Sequence, residues 1–335
     1  MANKKFWFGI LVFGMAVIGC DTGTVGGEVS VLGVNWAAVS NSTFGTNHIS
    51  GIAHGGDKFV AVGQNGRMAW SHDGVNWTSV ANSTFGTYFI TQIAYGVVNG
   101  EGRFVAVGQN GRMAWSPDGM NWTTVANSTF GTNNISGVAY GGDRFVAVGN
   151  AGNLAWSLDG VNWNAVLNSP FGTNWFYGIG YGSGKFVAVG NIGRKGWSTD
   201  GENWTEITDS PFVWDSNVGV NYQIQDVAYG GGRFVTVGHR AGGVDFAGSM
   251  AWSPDGISWN TVSNSIFATN SIRSIAYGSG KFVAVGGNQM AWASDGINWN
   301  EVSNTTFGAY DIHAIAYGGG RFVAVGQNGR IAWSE

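Results

Sequence analysis

From residue 49 to residue 334 one arrangement of apolar and polar positions keeps returning. A representative stretch, residues 49–80, reads ISGIAHGGDKFVAVGQNGRMAWSHDGVNWTSV. Breaks rich in Gly, Asn and Asp divide it into four short segments, each of strand length and too short for an ordinary helix. The second segment, for example Phe145-Val146-Ala147-Val148, is continuously apolar, which suits a strand covered on both faces. Between the second and third segments Asn-Gly recurs at Asn65-Gly66, Asn110-Gly111 and Asn328-Gly329, a pair that tolerates the positive φ of a tight hairpin. The third and fourth segments are joined by Ser-x-Asp-Gly, with Asp placed to accept backbone N–H groups within the turn. No segment shows the apolar period of 3.6 that a helical repeat requires.

The repeat can be counted on its tryptophans. The third segment carries Trp70, Trp115, Trp156, Trp197, Trp252, Trp292 and Trp333, and the fourth carries Trp77, Trp122, Trp163, Trp204, Trp259 and Trp299. Four strands every forty-odd residues is the spacing of a propeller blade. A seventh fourth-segment tryptophan, Trp36 in Gly33-Val34-Asn35-Trp36, precedes the first full unit, while the last unit stops at Ser334-Glu335 after its third segment. The expected fold is therefore all-β: a seven-bladed β-propeller of four-stranded antiparallel blades, with residues 33–39 as strand d of the last blade. Such closure removes two open sheet edges.

The first residues follow different rules. Lys4 and Lys5 precede an apolar run over residues 6–18, of signal-peptide length and short for a bilayer span. The run ends at Val17-Ile18-Gly19-Cys20, which resembles the lipobox of bacterial lipoproteins. That resemblance implies cleavage before Cys20, acylation of its thiol and attachment to a lipid bilayer. Several acyl chains on one cysteine hold a protein stably where a single chain does not. The expected organisation is a signal peptide over 1–19, a lipidated Cys20 and flexible tether over 20–30, and the propeller over 31–335. Localisation follows: the bacterial cell envelope, facing the periplasm or the exterior. Cys20 is the only cysteine, so no intrachain disulfide can form.

Composition narrows the partners. The chain has 335 residues, only 11% charged and 14% aromatic, which argues against disorder. Its net charge is −4 and becomes −6 once Lys4 and Lys5 are removed, the wrong sign for nucleic acid. The five histidines, His48, His54, His72, His239 and His313, lack metal-ligand spacing, and no P-loop occurs, so neither a metal nor another cofactor is expected.

The turns at Ser71 to Trp77, Ser116 to Trp122, Ser157 to Trp163, Ser198 to Trp204 and Ser253 to Trp259 resemble the Asp-box, or BNR, repeat of sialidases and many bacterial propellers. A weaker copy has Ala293 for the leading Ser. The resemblance implies a structural role for Asp73, Asp118, Asp159, Asp200, Asp255 and Asp295 on turns away from the ligand face. These copies lack one residue between Asp and Gly, and the sialidase Phe-Arg-Ile-Pro segment is absent.

Candidate binding residues come from departures in the repeat. The d–a and b–c connections share one face. Two insertions fall there: residues 211–221, with Trp214 and Asp215, and residues 239–249, with His239, Arg240, Asp245 and Phe246. The preceding blade adds Trp175 and Tyr177. Aromatics beside Asp and Arg on loops of a rigid scaffold suit a sugar ring or a protein hot spot. A second ring, formed by Tyr95, Tyr140, Tyr181, Tyr229, Tyr277 and Tyr317 with His54, lies at the opposite end and suits inter-blade packing. The favoured function is a monomeric, membrane-anchored binding or scaffolding propeller that recognises a glycan or an envelope protein. The alternatives are a sialidase-type glycoside hydrolase using an Asp215–Asp245 pair, and a multivalent surface adhesin.

Overall fold

The computed structural model describes residues 32–208, 210–212, 221–241, 247–263, 265–267 and 270–334. Among them are seven four-stranded antiparallel sheets, each with strands in the order a-b-c-d from the axis outward. Blade 1 is built from Ile49–Gly55, Lys58–Gly63, Met68–Ser71 and Thr78–Ser79. The inner strands of the next five blades are Ile90–Val98, Ile135–Gly141, Phe176–Gly182, Asn221–Gly230 and Ser274–Gly278. Blade 7 takes Ile312–Gly318, Arg321–Gly326 and Ile331–Ser334 from the end of the chain and Ala37–Ala38 from its beginning. Successive inner strands touch one another, and the first touches the last, so the ring is closed.

The continuously apolar strand b is explained by where the core sits. Seven hydrophobic clusters occupy the seven gaps between neighbouring blades. In blade 1, Phe59 and Ala61 face the cluster shared with blade 7, while Val60 and Val62 face that shared with blade 2. Both faces of the strand are therefore dry. Phe44, Phe85, Phe130 and Phe171 enter these gaps from the d–a loops and are fully buried.

The b–c hairpin of blade 1 is a turn with two left-handed residues. At Asn65 φ is 56° and ψ 34°, at Gly66 φ is 63°, and Arg67 N–H donates to the Gln64 carbonyl at 3.2 Å. Asn suits this conformation, whereas Ile192, which occupies the same position in blade 4 with φ of 49°, does not.

The Ser-x-Asp-Gly turn is a hydrogen-bonded knot. Ser71 Oγ donates to Asp73 Oδ1 at 2.9 Å and accepts from Gly74 N–H at 2.9 Å. Asp73 Oδ1 also accepts from Val75 and Asn76 N–H, and Trp77 Nε1 donates back to the Gly74 carbonyl at 3.0 Å. Burial alone would raise the Asp73 carboxyl, but these donors hold it well below the usual carboxylate range. The same balance at Asp118 brings it to about 2. Asp159, Asp200, Asp255 and Asp295 occupy equivalent turns.

In blade 7 this knot is divided between the two ends of the chain. Gly33 N–H donates to Ser334 Oγ at 2.7 Å, repeating the Gly74–Ser71 bond across a chain separation of 301 residues. Trp36 Nε1 donates to the Gly33 carbonyl at 3.2 Å, and Leu32 stands where the other turns have Asp. Lys281 Nζ donates to the Leu32 carbonyl at 3.1 Å, as Lys185 Nζ does to the Asp255 carbonyl at 2.9 Å one turn elsewhere in the ring. Leu32 and Trp36 are buried in the cluster between blades 6 and 7.

On the same face as these knots, the ends of the inner strands are locked by aromatic rings. Each inner strand closes on a glycine against which the next blade lays a ring: Tyr95 on Gly55, Tyr140 on Gly96, Tyr181 on Gly141 and so on, until His54 of blade 1 lies on Gly318 of blade 7. Each ring also packs on its own blade's strand b phenylalanine, at 4.5–4.9 Å between centroids. The second ring is thus a packing device.

Candidate functional site at the axis

The inner strand of six blades carries a β-bulge just after its first buried apolar residue, between Ile49 and Gly51 in blade 1 and at the equivalent pairs in blades 2, 3, 4, 5 and 7. A bulge leaves one residue outside the ladder and re-aims its side chain. Those residues are Ser50, Thr91, Ser136, Tyr177, Gln225 and His313, and Arg273 takes the corresponding position in blade 6. All seven line one cavity of about 310 Å³ at the loop end of the axis, with Gln92, Asp226 and Ser274 one step deeper.

The wall has two unlike halves. In blades 7, 1 and 2 the bulge side chains stitch neighbouring inner strands together. Ser50 Oγ donates to the Ile90 carbonyl, Thr91 Oγ1 to the Ile135 carbonyl at 2.5 Å, and His313 Nδ1 to the Ile49 carbonyl at 3.0 Å. In blades 4, 5 and 6 the same column holds Tyr177, Gln225 and Arg273, longer groups that make no such stitch. Arg273 Nη2 reaches Asp311 Oδ2 at 3.3 Å and remains about half exposed.

The electrostatics follow from crowding at this end. Asp226 accepts from Ser274 Oγ at 2.9 Å, Ile275 N–H at 3.1 Å and Val227 N–H at 2.8 Å. Burial outweighs these donors and pushes its carboxyl up to about 6. Burial also pulls His313 down to about 4, helped by the Arg273 guanidinium, so it is neutral near pH 7. His239 moves in the same direction for the same two reasons, with Ser271 Oγ at 2.8 Å from Nδ1. Burial raises the Tyr177 phenol.

The residues expected from sequence are dispersed by this geometry. Tyr177 lines the cavity, whereas Trp175 does not, is about half exposed and hydrogen-bonds through its backbone to Asn191. His239 and Arg240 lie in strand b of blade 5, paired with Gln223 and Tyr222, and neither lines the cavity. Trp214, Asp215, Asp245, Phe246 and Cys20 fall outside the described residues. Gln225, Asp226, Arg273, Ser274 and His313 are not among the binding residues expected from sequence. Their signal is two adjacent columns, the two residues after the first apolar position of strand a, which differ between blades while the flanking apolar positions repeat.

A second departure is Lys195 in strand c of blade 4. It occupies the position of Met68, Met113, Leu154, Met250, Met290 and Ile331 in the other blades and is fully buried. Its ammonium donates to Ser210 Oγ at 2.5 Å and lies 4.8 Å from the Phe212 ring and 5.2 Å from the Trp259 ring. No carboxylate pairs with it among the described residues, and burial lowers it to about 7.

Neither a protein-family model nor any curated protein matches the chain. Solved structures do. YCF48 bound to a D1 peptide superposes with a TM-score of 0.66 at 16% identity, over 89% of this chain and 96% of that one. YCF48 from Cyanidioschyzon merolae gives 0.64 at 17% identity, over 90% and 98%. The WD40 propeller domain of Doa1 gives 0.61 at 11% identity, over 89% and 95%. The protein is a seven-bladed β-propeller. Identities this low carry the fold alone.

Proposed function

We propose that this propeller is a recognition module, held at an envelope membrane through an acylated Cys20, that binds a protein or glycan partner at the loop end of its axis. The observation that carries the reading is the asymmetric wall of the axial cavity. Seven near-identical blades need no chemical variety to pack, yet Tyr177, Gln225 and Arg273 occupy a column that Ser and Thr fill in the first three blades. A cavity lined by a few convergent polar groups is the usual form of a binding site. A neighbour of the same fold, YCF48, has been captured with a bound peptide, and that is compatible with a protein partner. The turns are read as a shortened Asp-box, which assigns them to structure and leaves recognition to the opposite end. The lipobox-like residues around Cys20 support the anchor and the envelope location.

The test is capture of partners from envelope extract with the full chain in detergent, beside a Tyr177→Ala, Arg273→Ala double variant. Loss of a specific partner from the variant at unchanged melting temperature supports the reading. An identical set of partners on both proteins defeats it. Mass spectrometry of the purified chain tests the anchor, which requires a mature N-terminus at acylated Cys20.

A further inference from the structure

Recognition at the axial cavity, on which the choice of ligand class rests, leaves the chemistry of that ligand open. The cavity wall is rich in neutral hydrogen-bonding groups and poor in uncommitted charge. Arg273, the one cationic side chain of the wall among the described residues, is already turned to Asp311. His313 is neutral and donates from Nδ1, which leaves Nε2 as an acceptor. Asp226 has three donors on its carboxylate, so most of its lone pairs are taken. An anionic ligand would have to pull Arg273 from Asp311, and a cation would find only the remaining valence of Asp226.

The groups left over are neutral. The Tyr177 hydroxyl, the Gln225 amide and the Ser136 hydroxyl line the cavity, and none has a hydrogen-bond partner among the described residues. Together they offer both donors and acceptors. Phe89 and the Tyr177 ring add apolar surface to the same wall. About 310 Å³ lies at the low end of small-ligand sites.

We infer that the axial cavity takes the ring of an uncharged sugar. Each sugar hydroxyl both donates and accepts, which matches Tyr177, Gln225, Ser136 and His313 Nε2, and the C–H face of the ring packs on an aromatic side chain. Discrimination would come from buried polar groups that a wrong ligand leaves unpaired.

The experiment is calorimetric titration of the full chain in detergent with glucose, galactose, mannose, N-acetylglucosamine and their disaccharides, with glucuronate and a short acidic peptide as anionic comparators. An uncharged sugar is expected to bind. Its affinity should fall about tenfold in Gln225→Ala and in Tyr177→Phe, with the melting temperature unchanged and little difference between low and high salt. A preference for glucuronate or the peptide, or binding abolished by salt, overturns the inference and makes Arg273 the anchor. If no uncharged sugar binds while the Tyr177→Ala, Arg273→Ala variant still loses an envelope partner, the sugar inference falls and the recognition reading stands. If that variant loses no partner and no sugar binds, both fall.

Discussion

The two ends of this ring obey opposite rules. At the turn end, one set of contacts recurs from blade to blade: a ring on a glycine, a Ser-x-Asp-Gly knot, a basic side chain reaching a turn further round. The set persists even where the chain is broken, because Ser334 and Gly33 rebuild the knot from opposite termini. At the loop end the blades share a backbone and differ in what they aim inward. The contrast teaches that agreement among repeats marks packing, and that a column of disagreement inside an agreeing strand marks chemistry. Departures at the loop end are also costly to the fold: Lys195 puts an amine in a core position and Ile192 puts a β-branched residue at positive φ. Natural proteins accept such costs where function asks for them.

That comparison can be broken most sharply at the divided knot. Trp36→Ala and Trp77→Ala should each lower stability by about 3–5 kcal/mol in chemical denaturation, since both indoles are buried between blades. A much smaller loss at Trp36 would show that the knot divided between the two chain ends is not equivalent to those formed by continuous chain.

Lys195→Met is the next largest effect and has the opposite sign. The folded amine loses its proton near pH 7, whereas in the unfolded chain it keeps it to about 10.5. Over that window the unfolded state binds the extra proton, so wild-type stability should rise with pH, by up to about 1.4 kcal/mol per unit. Unfolding curves between about pH 7 and 9 should show this slope in the wild type and lose it in Lys195→Met, which should be the more stable protein at pH 7. A destabilised variant without a changed slope would mean that the buried amine is not a cost.

Gly141→Ala tests the turn end again. A Cβ there would sit 2.0 Å from Tyr181 Cγ, an overlap that should cost about 1–3 kcal/mol in thermal or chemical unfolding. The smallest effect is expected at the loop end: Ile192→Asn should stabilise by about 1 kcal/mol in the same assay, because Asn tolerates the left-handed conformation that Ile resists. A loss of stability there would assign Ile192 a packing role that outweighs its strain.

The fold was legible almost completely. Tryptophan spacing counted the blades, continuous apolar strands announced neighbours on both faces, and Trp36 named the strand that closes the ring. The site was legible only in part. Attention to long insertions led to Trp214, Asp215, Asp245 and Phe246, which lie outside the described residues, and to His239 and Arg240, which lie in strand b away from the cavity wall. The strand-a column that does line the axis was visible in the sequence as variation, but nothing local says which residue of a strand a bulge will turn toward the channel.

The amino-acid sequence by itself therefore determined the architecture, because apolar runs, turn chemistry and repeat length are local properties and each blade reports them independently. The tertiary structure alone decided which seven side chains meet. Residues from Ser50 to His313 converge only when closure of the ring brings all the inner strands around one axis. Their shared environment, and with it the neutral His313 and the raised Asp226 carboxyl, exists only after that closure.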